Sequence, residues 1–121
     1  MKKIDLHQKL ASFDEVYRPK IVGELNSQYV KVAKVKGDYP WHHHADEDEL
    51  FLVLKGSITI RFRDGDVELG EGEMCIVPRG VEHSPTADEE AHVLLFEPVS
   101  TRNTGNLDHS YTIEAEDLER I

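Results

Sequence analysis

Cysteine is nearly absent from this sequence of 121 residues, which contains only Cys75. A single thiol cannot form a disulfide within the chain, so nothing in the composition requires an oxidising compartment. No cationic residue stands beside Cys75 in the sequence to lower the pKa of its thiol, and we do not expect a nucleophile there. Its expected role is that of a small apolar strand residue.

Basic residues are scarce as well. The chain has 14 lysines and arginines against 24 aspartates and glutamates, which gives a formal net charge of -10. A charge of this sign repels phosphate backbones and anionic membrane surfaces instead of gathering them. The composition therefore argues against nucleic acid and membranes as partners.

Long apolar runs are also missing. No stretch approaches the roughly 20 apolar residues of a membrane span, and no apolar run follows the charged start Met1-Lys2-Lys3. A chain of this length supports one domain with one modest core. We therefore expect a soluble, cytoplasmic protein with a single domain over residues 1–121.

The sequence pattern that is present is typical of short strands. Residues 29–36 alternate apolar and basic side chains, and Asp64-Gly65 predicts a tight hairpin. Further β-rich runs, bounded by glycine and proline, cover residues 50–54, 57–63, 66–69, 74–77 and 92–97. Six or more strands at this spacing predict an all-β barrel or sandwich, and we expect consecutive strands to form an antiparallel meander.

Helix is expected only near the two ends of the chain. Asp5 is a suitable N-cap for a short helix on which Leu6, Leu10 and Phe13 form one apolar stripe. The segment after Pro98 is polar, and within it only residues 114–120 suit a last helical turn or two.

Three histidines and a glutamate form a spaced set of candidate metal ligands: His42, His44, Glu49 and His83. Three neutral imidazoles and one carboxylate suit a divalent transition ion of intermediate softness. Four protein ligands leave one or two coordination positions open for water or substrate, and chemistry can take place at such a position.

The spacing of the histidines predicts which of them share a face. His42 and His44 are two residues apart on an extended segment and project to the same side, whereas His43 projects to the other. His43 is therefore not an expected ligand. Glu49 has to return from a loop or bulge to meet the histidines, and the period alone does not decide whether it does.

Two motifs in this chain resemble those of the cupin superfamily. The first, over about residues 37–56, has His-x-His, four residues, Glu, six residues and Gly; the second, over about 72–87, has Gly, five residues, Pro-x-Gly, two residues and His. The matching residues are Gly37, His42, His44, Glu49, Gly56, Gly72, Pro78, Gly80 and His83. The chain departs from the family in the spacing between Gly37 and His42, and in Ala87, where the second motif often ends in Asn.

The resemblance implies a fold and a site. The fold is a double-stranded β-helix, or jelly-roll barrel, with a short N-terminal helix. The four ligands named above would point into the barrel and bind one divalent ion, which could be iron, manganese, nickel or zinc. Residues 97–106 look like the tail of small single-domain bacterial cupins, whose members often carry a mannose-6-phosphate isomerase-like label.

Fold does not fix chemistry, so the resemblance leaves several functions open. The first is a metal-dependent enzyme that acts on a small oxygen-containing molecule, of the dioxygenase or the isomerase and lyase class. The second is a non-catalytic module that binds a small molecule or a metal. The third, a purely structural barrel, would leave four buried polar side chains without an ion. Glu47, Glu82 and Tyr29 are the candidates for a general acid or base.

A barrel of this size gains from association, and the resemblance also implies a homodimer. The alternating strand 29–36, or the residues ahead of it, could add to the edge of a neighbour's sheet. Asp46, Glu47 and Asp48 are expected to form a solvated acidic loop that raises the local affinity for cations.

Overall fold

The structure, a computed structural model, describes residues 1–121, and its regular secondary structure is mostly β-strand. A single α-helix, α1 (Leu6–Ala11), precedes seven strands, and a 3-10 turn (Ala115–Asp117) lies near the C-terminus. The strands are β1 (Lys20–Leu25), β2 (Gln28–Asp38), β3 (Glu49–Lys55), β4 (Ile58–Phe62), β5 (Gly65–Leu69), β6 (Met74–Val77) and β7 (His83–Pro98). No helix has both the length and the apolar character needed to span a lipid bilayer.

All strand pairs are antiparallel, and the longest strand, β7, organises them. The order β1-β2-β7-β3-β6 forms one side of the molecule, while β4 pairs with β5 and with the first residues of β7. Because β7 takes part in both sides, the sheet closes into a jelly-roll barrel. The all-β fold predicted from the two motifs is confirmed.

The expected meander is wrong. β3 and β4 follow each other but do not pair, and neither do β5 and β6. Among the strands that the sequence predicted, only β4 and β5 are consecutive in the chain and also paired. Phe62 pairs with Gly65, so the two turn residues of this hairpin are Arg63 and Asp64. The turn therefore lies one residue earlier than Asp64-Gly65.

Strand lengths also differ from the sequence pattern. β1 was not expected, and β7 begins at His83 instead of residue 92. The first half of β7 contains Pro85 and the exposed residues Asp88, Glu89 and Glu90. These residues interrupt the alternation of apolar and polar side chains from which a strand is predicted. β2 lies between β1 and β7, so it is no sheet edge; the edge strands of this side are β1 and β6.

Two apolar clusters hold the fold together. The larger one fills the barrel with inward side chains of β2, β3, β4 and β7, and the smaller one packs α1 on the outside of the sheet through Leu10, Phe13, Val22 and Val32. Asp5 caps α1 as predicted, since its carboxylate accepts a hydrogen bond from Gln8 N at 3.1 Å. The helix ends at Ala11, and Phe13 packs against the sheet from beyond it.

Candidate metal centre

The four expected ligands come from three parts of the chain. His42 lies in the extended segment after β2, where it forms a backbone bridge with His83, the first residue of β7. The two residues exchange hydrogen bonds, His42 N to His83 O at 3.1 Å and His83 N to His42 O at 2.9 Å. This bridge places the two imidazoles side by side, with ring centroids 4.3 Å apart.

Glu49 meets the histidines because it is the first residue of β3. Its side chain is buried on the same face of the strand as Phe51 and Val53, which point into the barrel. The turn before it, residues 45–48, reverses the chain after His44. The geometry thus brings Glu49 into the site, which the period count alone left open.

The four side chains converge within a small volume. One nitrogen or oxygen atom from each of His42, His44, Glu49 and His83 lies within 4.8 Å of the others, and all four residues are buried. His43 is only half-buried and is not a member of this group. The alternation of the extended segment accounts for the difference, as expected from the spacing.

Backbone carbonyls orient two of the imidazoles. His42 Nδ1 lies 2.9 Å from Pro40 O, and His83 Nδ1 lies 2.9 Å from Val81 O. A carbonyl oxygen only accepts, so each Nδ1 carries the hydrogen and each Nε2 keeps a free lone pair. Imidazole ligands of metal ions are commonly fixed in this way.

The remaining polar atoms of the site lack suitable partners. His83 Nε2 lies 3.2 Å from Glu49 Oε1, and in the tautomer set by Val81 both atoms are acceptors. His44 is buried with no hydrogen-bond partner on either ring nitrogen, and its Nε2 lies 3.5 Å from Glu49 Oε1. Buried acceptors that face one another are unfavourable unless a cation lies between them. The residues present therefore fit a bound divalent ion.

Electrostatics favour the ligating forms of two of these groups. Burial, and then the neighbouring His83, lower the pKa of His42 to about 4, so its imidazole is neutral at neutral pH. Burial raises the pKa of Glu49, but its contacts with His44 and His83 outweigh this effect and hold the pKa well below the usual range. Burial lowers the pKa of His83, yet its contact with Glu49 outweighs this and raises it. Without a metal, a proton is favoured at the place that the ion would take.

The sequence analysis missed a buried ion pair behind Glu49. Lys31 Nζ lies 2.8 Å from Glu97 Oε1, and both side chains are almost completely buried. Burial first, and then the negative charge of Glu49, raise the pKa of Glu97 well above its usual range, against the effect of Lys31. The second oxygen of this carboxyl group, Glu97 Oε2, is buried without a hydrogen-bond partner. A sequence signal existed, because Glu97 directly follows the apolar run 93–96.

A cavity of about 40 Å³ adjoins the candidate metal centre inside the barrel. Seven of its 13 lining residues are hydrophobic, and the ligands His42 and Glu49 form part of its wall. The lining residues are Tyr17, Pro19, Ala33, Val35, Tyr39, His42, Glu49, Phe51, Pro85, Val93, Leu95, Glu97 and Asn103. A ligand on the ion would therefore extend into mostly apolar surroundings.

The polar segment after β7 is folded against the site. Thr101, Asn103 and Thr104 are buried, although the sequence suggested only a polar tail. Tyr39 Oη donates a hydrogen bond to the backbone carbonyl oxygen of Asn103 at 3.1 Å. Tyr39 in turn packs edge-on against the His42 ring, with centroids 5.2 Å apart. This segment thus supports one wall of the cavity.

The three candidates for a general acid or base lie outside the cavity. Glu47 accepts a hydrogen bond from Ser100 at 2.8 Å, and Glu82 is exposed. Tyr29 is half-buried near the start of β2, where its hydroxyl accepts a hydrogen bond from Arg120 at 3.1 Å. The structure does not bring any of them to the four ligands. Glu97, which was not considered, is the acidic residue that lines the cavity beside Glu49.

Comparison with known proteins adds relatives of two kinds. A family model described as a cupin domain matches residues 29–97. The protein YdbB of Bacillus subtilis is 40% identical over 63 residues, which are 51% of this chain and 56% of that protein. The 3-hydroxyanthranilate 3,4-dioxygenase of Danio rerio is 31% identical over 78 residues, 61% of this chain and 26% of the enzyme. The chain thus spans about half of the first relative and a quarter of the second.

Two solved structures share both fold and sequence with this chain. A cupin-2 domain containing protein from Shewanella frigidimarina is 41% identical, with a TM-score of 0.78 that covers 78% of this chain and 93% of the other. A protein from Neisseria meningitidis is 32% identical, with a TM-score of 0.74 over 80% of this chain and 99% of the other. Both matches cover nearly the whole of the solved chain.

Proposed function

This chain belongs to the cupin family, and we propose that it is a metal-dependent enzyme that acts on a small oxygen-containing molecule. His42, His44, Glu49 and His83 would hold one divalent transition ion. The observation that carries this proposal is the convergence of these four buried side chains, whose ligand atoms all lie within 4.8 Å of one another. One ion at this point would partner all four groups at once, including His44, whose ring nitrogens have no hydrogen-bond partner.

Iron(II), manganese(II), nickel(II) and zinc(II) all suit three imidazoles and a carboxylate, and supply in the cell selects among them. Such an ion supplies a Lewis-acidic or redox-active centre with one or two open positions. The chain itself supplies the orientation of the imidazoles, through Pro40 and Val81, and an apolar cavity that limits access of water.

Within this function we favour the dioxygenase class over the isomerase and lyase class. The support is the 31% identity with a dioxygenase over 78 residues, which are 61% of this chain. A non-catalytic binding module is the second candidate. It is favoured by one observation: apart from the ligands and the paired Glu97, the only acids in the cavity wall are Tyr17 and Tyr39, and burial raises the pKa of both.

We also propose that the protein is a homodimer, formed through the outer side of the sheet at β3, β6 and β7. Six apolar side chains meet there across the strands, and we call them the outer apolar face: Leu50, Leu52, Met74, Ile76, Leu94 and Phe96. Met74 and Ile76 each keep 55% of their surface exposed. Helix α1 covers the neighbouring part of the same side but does not reach this one.

A second copy of this chain is the partner that suits the outer apolar face. Each copy has a net charge of -10, so two copies repel each other over most of their surfaces. The six residues of this face carry no charge, and their burial is favourable. The interface would be isologous, with the same face used by both copies.

The enzyme proposal is tested by loading metal-free protein with iron(II) under anaerobic conditions and adding nitric oxide. An electron paramagnetic resonance signal of a high-spin iron nitrosyl, stoichiometric with protein, is expected because the ion keeps an open position. The signal should be lost in His83→Ala and retained in His109→Ala, whose histidine is exposed and outside the site. Oxygen uptake with small aliphatic 1,3-diketones would then support the dioxygenase class, and nitrosyl binding without uptake would support the binding module.

A further inference from the structure

The wall of the cavity carries no free positive charge. Among its 13 lining residues the ionisable side chains other than tyrosine are His42, Glu49 and Glu97, and there is no lysine or arginine. His42 and Glu49 are themselves two of the expected metal ligands. A negatively charged group inside the cavity would therefore find carboxylates and apolar carbon, but no cation other than the ion itself.

Lys31 is a buried cation in contact with the wall residue Glu97, and its charge is already paired. Its ammonium group lies 2.8 Å from Glu97 Oε1, and the two side chains are 0% and 2% exposed. The carboxyl group of Glu97 stands between Lys31 and the cavity, since Glu97 lines the cavity and Lys31 does not. An anion would have to displace this pairing to reach the ammonium group.

Burial of an unpaired anion costs several kcal/mol even after the protein relaxes. An uncharged group pays no such penalty and gains from contact with the apolar wall formed by Val35, Phe51, Val93 and Leu95. The charge of the wall therefore discriminates between ligands that bind the ion in the same way but differ at the end remote from it.

Size restricts the ligand further. A dry cavity of about 150 Å³ accommodates benzene, whereas a water molecule needs on the order of 10–15 Å³ on the same measure. The cavity of about 40 Å³ lies between these limits and has room for a few non-hydrogen atoms. A phenyl group would not fit without movement of the wall.

We propose that the part of the substrate that extends from the ion into this cavity is a small group without negative charge, and that the Lys31–Glu97 pair excludes carboxylate and phosphate groups from it. This inference rests on the proposed metal-dependent function and names the substrate class of the same site. It predicts that a sugar phosphate, or any acid whose carboxylate points away from the ion, is a poor ligand.

The test uses protein loaded with cobalt(II), whose visible absorption changes when a ligand occupies an open position. Three hydroxamic acids present the same chelating group with different tails. Malonomonohydroxamic acid carries a carboxylate, its primary amide is uncharged and nearly isosteric, and propionohydroxamic acid has a purely apolar tail. The dissociation constant of each is obtained by titration.

The amide and propionohydroxamic acid should bind at least about 10-fold more tightly than the carboxylate. A buried charge that is left without a hydrogen-bond partner costs more than the 1.4 kcal/mol that corresponds to a 10-fold change in affinity. In Glu97→Gln the ammonium group of Lys31 loses its negative partner, and the preference for the amide over the carboxylate should shrink by about 10-fold or reverse. The double variant Lys31→Met/Glu97→Gln has neither charge and should keep a preference close to that of the wild type.

Equal affinity of the wild type for the carboxylate and the amide would overturn the inference, and this comparison needs no variant that could fail to fold. An unchanged preference in folded Glu97→Gln would also overturn it. Absence of any cobalt(II) spectrum in the wild type would overturn the metal-dependent function, and the inference with it. Cobalt(II) binding with equal affinities would overturn only the inference.

Discussion

His43 and Asn106 are joined by two backbone-directed hydrogen bonds. His43 N donates to Asn106 Oδ1 at 2.9 Å, and Asn106 N donates to His43 O at 3.1 Å. Because His43 stands between two expected ligands, this pair fixes the backbone of the metal-binding segment from the C-terminal part of the chain. Gly105 allows the close approach, since a Cβ atom there would lie 2.0 Å from His43 O.

Gly105→Ala should therefore weaken metal binding as well as the fold. The added methyl group forces the C-terminal segment away from His43, and we expect a loss of metal affinity of about 10-fold or more, measured by competition with a coloured chelator. Gly72→Ala is the matched control, because Gly72 also has a positive φ but nothing lies within 4 Å of its Cβ position. It should cost only about 1–2 kcal/mol of backbone strain and leave metal affinity unchanged. Equal losses in both variants would contradict a link between Gly105 and the site.

The alternation of the histidine segment makes a second prediction. His44→Ala removes a buried ligand and should lower metal affinity by about 10-fold or more, whereas His43→Ala should change it little. Isothermal titration with zinc(II) measures both. Similar effects at the two positions would show that the assignment of faces is wrong.

The buried pair Lys31–Glu97 makes a prediction about stability. Lys31→Met leaves Glu97 buried beside Glu49 without its cation and should lower the free energy of unfolding by about 3–5 kcal/mol. The double variant Lys31→Met/Glu97→Gln removes both charges and should recover most of this loss. Urea denaturation of the metal-free proteins provides the comparison, and additive losses in the double variant would contradict a direct interaction.

The outer apolar face makes a prediction about assembly. Sedimentation velocity at micromolar concentration should show a dimer for the wild type and a monomer with unchanged circular dichroism for Ile76→Lys. Val67→Lys is the control, because Val67 is exposed on β5 and does not belong to the face. A wild-type monomer, or a dimer that survives Ile76→Lys, would count against the proposed interface.

Local geometry predicts only part of the expected ligand set. His42 and His44 share a face wherever the chain is extended, whereas Glu49 and His83 were expected from the motif offsets of the family. β-rich runs also indicated β3 and β4, and Asp64-Gly65 indicated the β4–β5 hairpin. The shared face of the histidines and these strands require only short-range information.

The missed features all depend on long-range packing. Lys31 and Glu97 are 66 residues apart, and only the alignment of β2 with β7 brings them together. The prediction of a meander is wrong at Gly56, where the backbone turns with a positive φ close to Ala91. After this turn β4 lies on the other side of the barrel and does not pair with β3. The segment after Pro98 looked like a polar tail because its contacts with the barrel come from distant residues, as in the hydrogen bond that Tyr39 Oη donates to the backbone carbonyl of Asn103.

The most direct test of the metal centre is elemental analysis of protein purified without a metal-affinity tag, beside the double variant His42→Ala/His83→Ala. The account predicts close to one equivalent of iron, manganese, nickel or zinc in the wild type and its loss in the variant. Absence of metal from the wild type, even after reconstitution with each of these ions, would contradict the central claim.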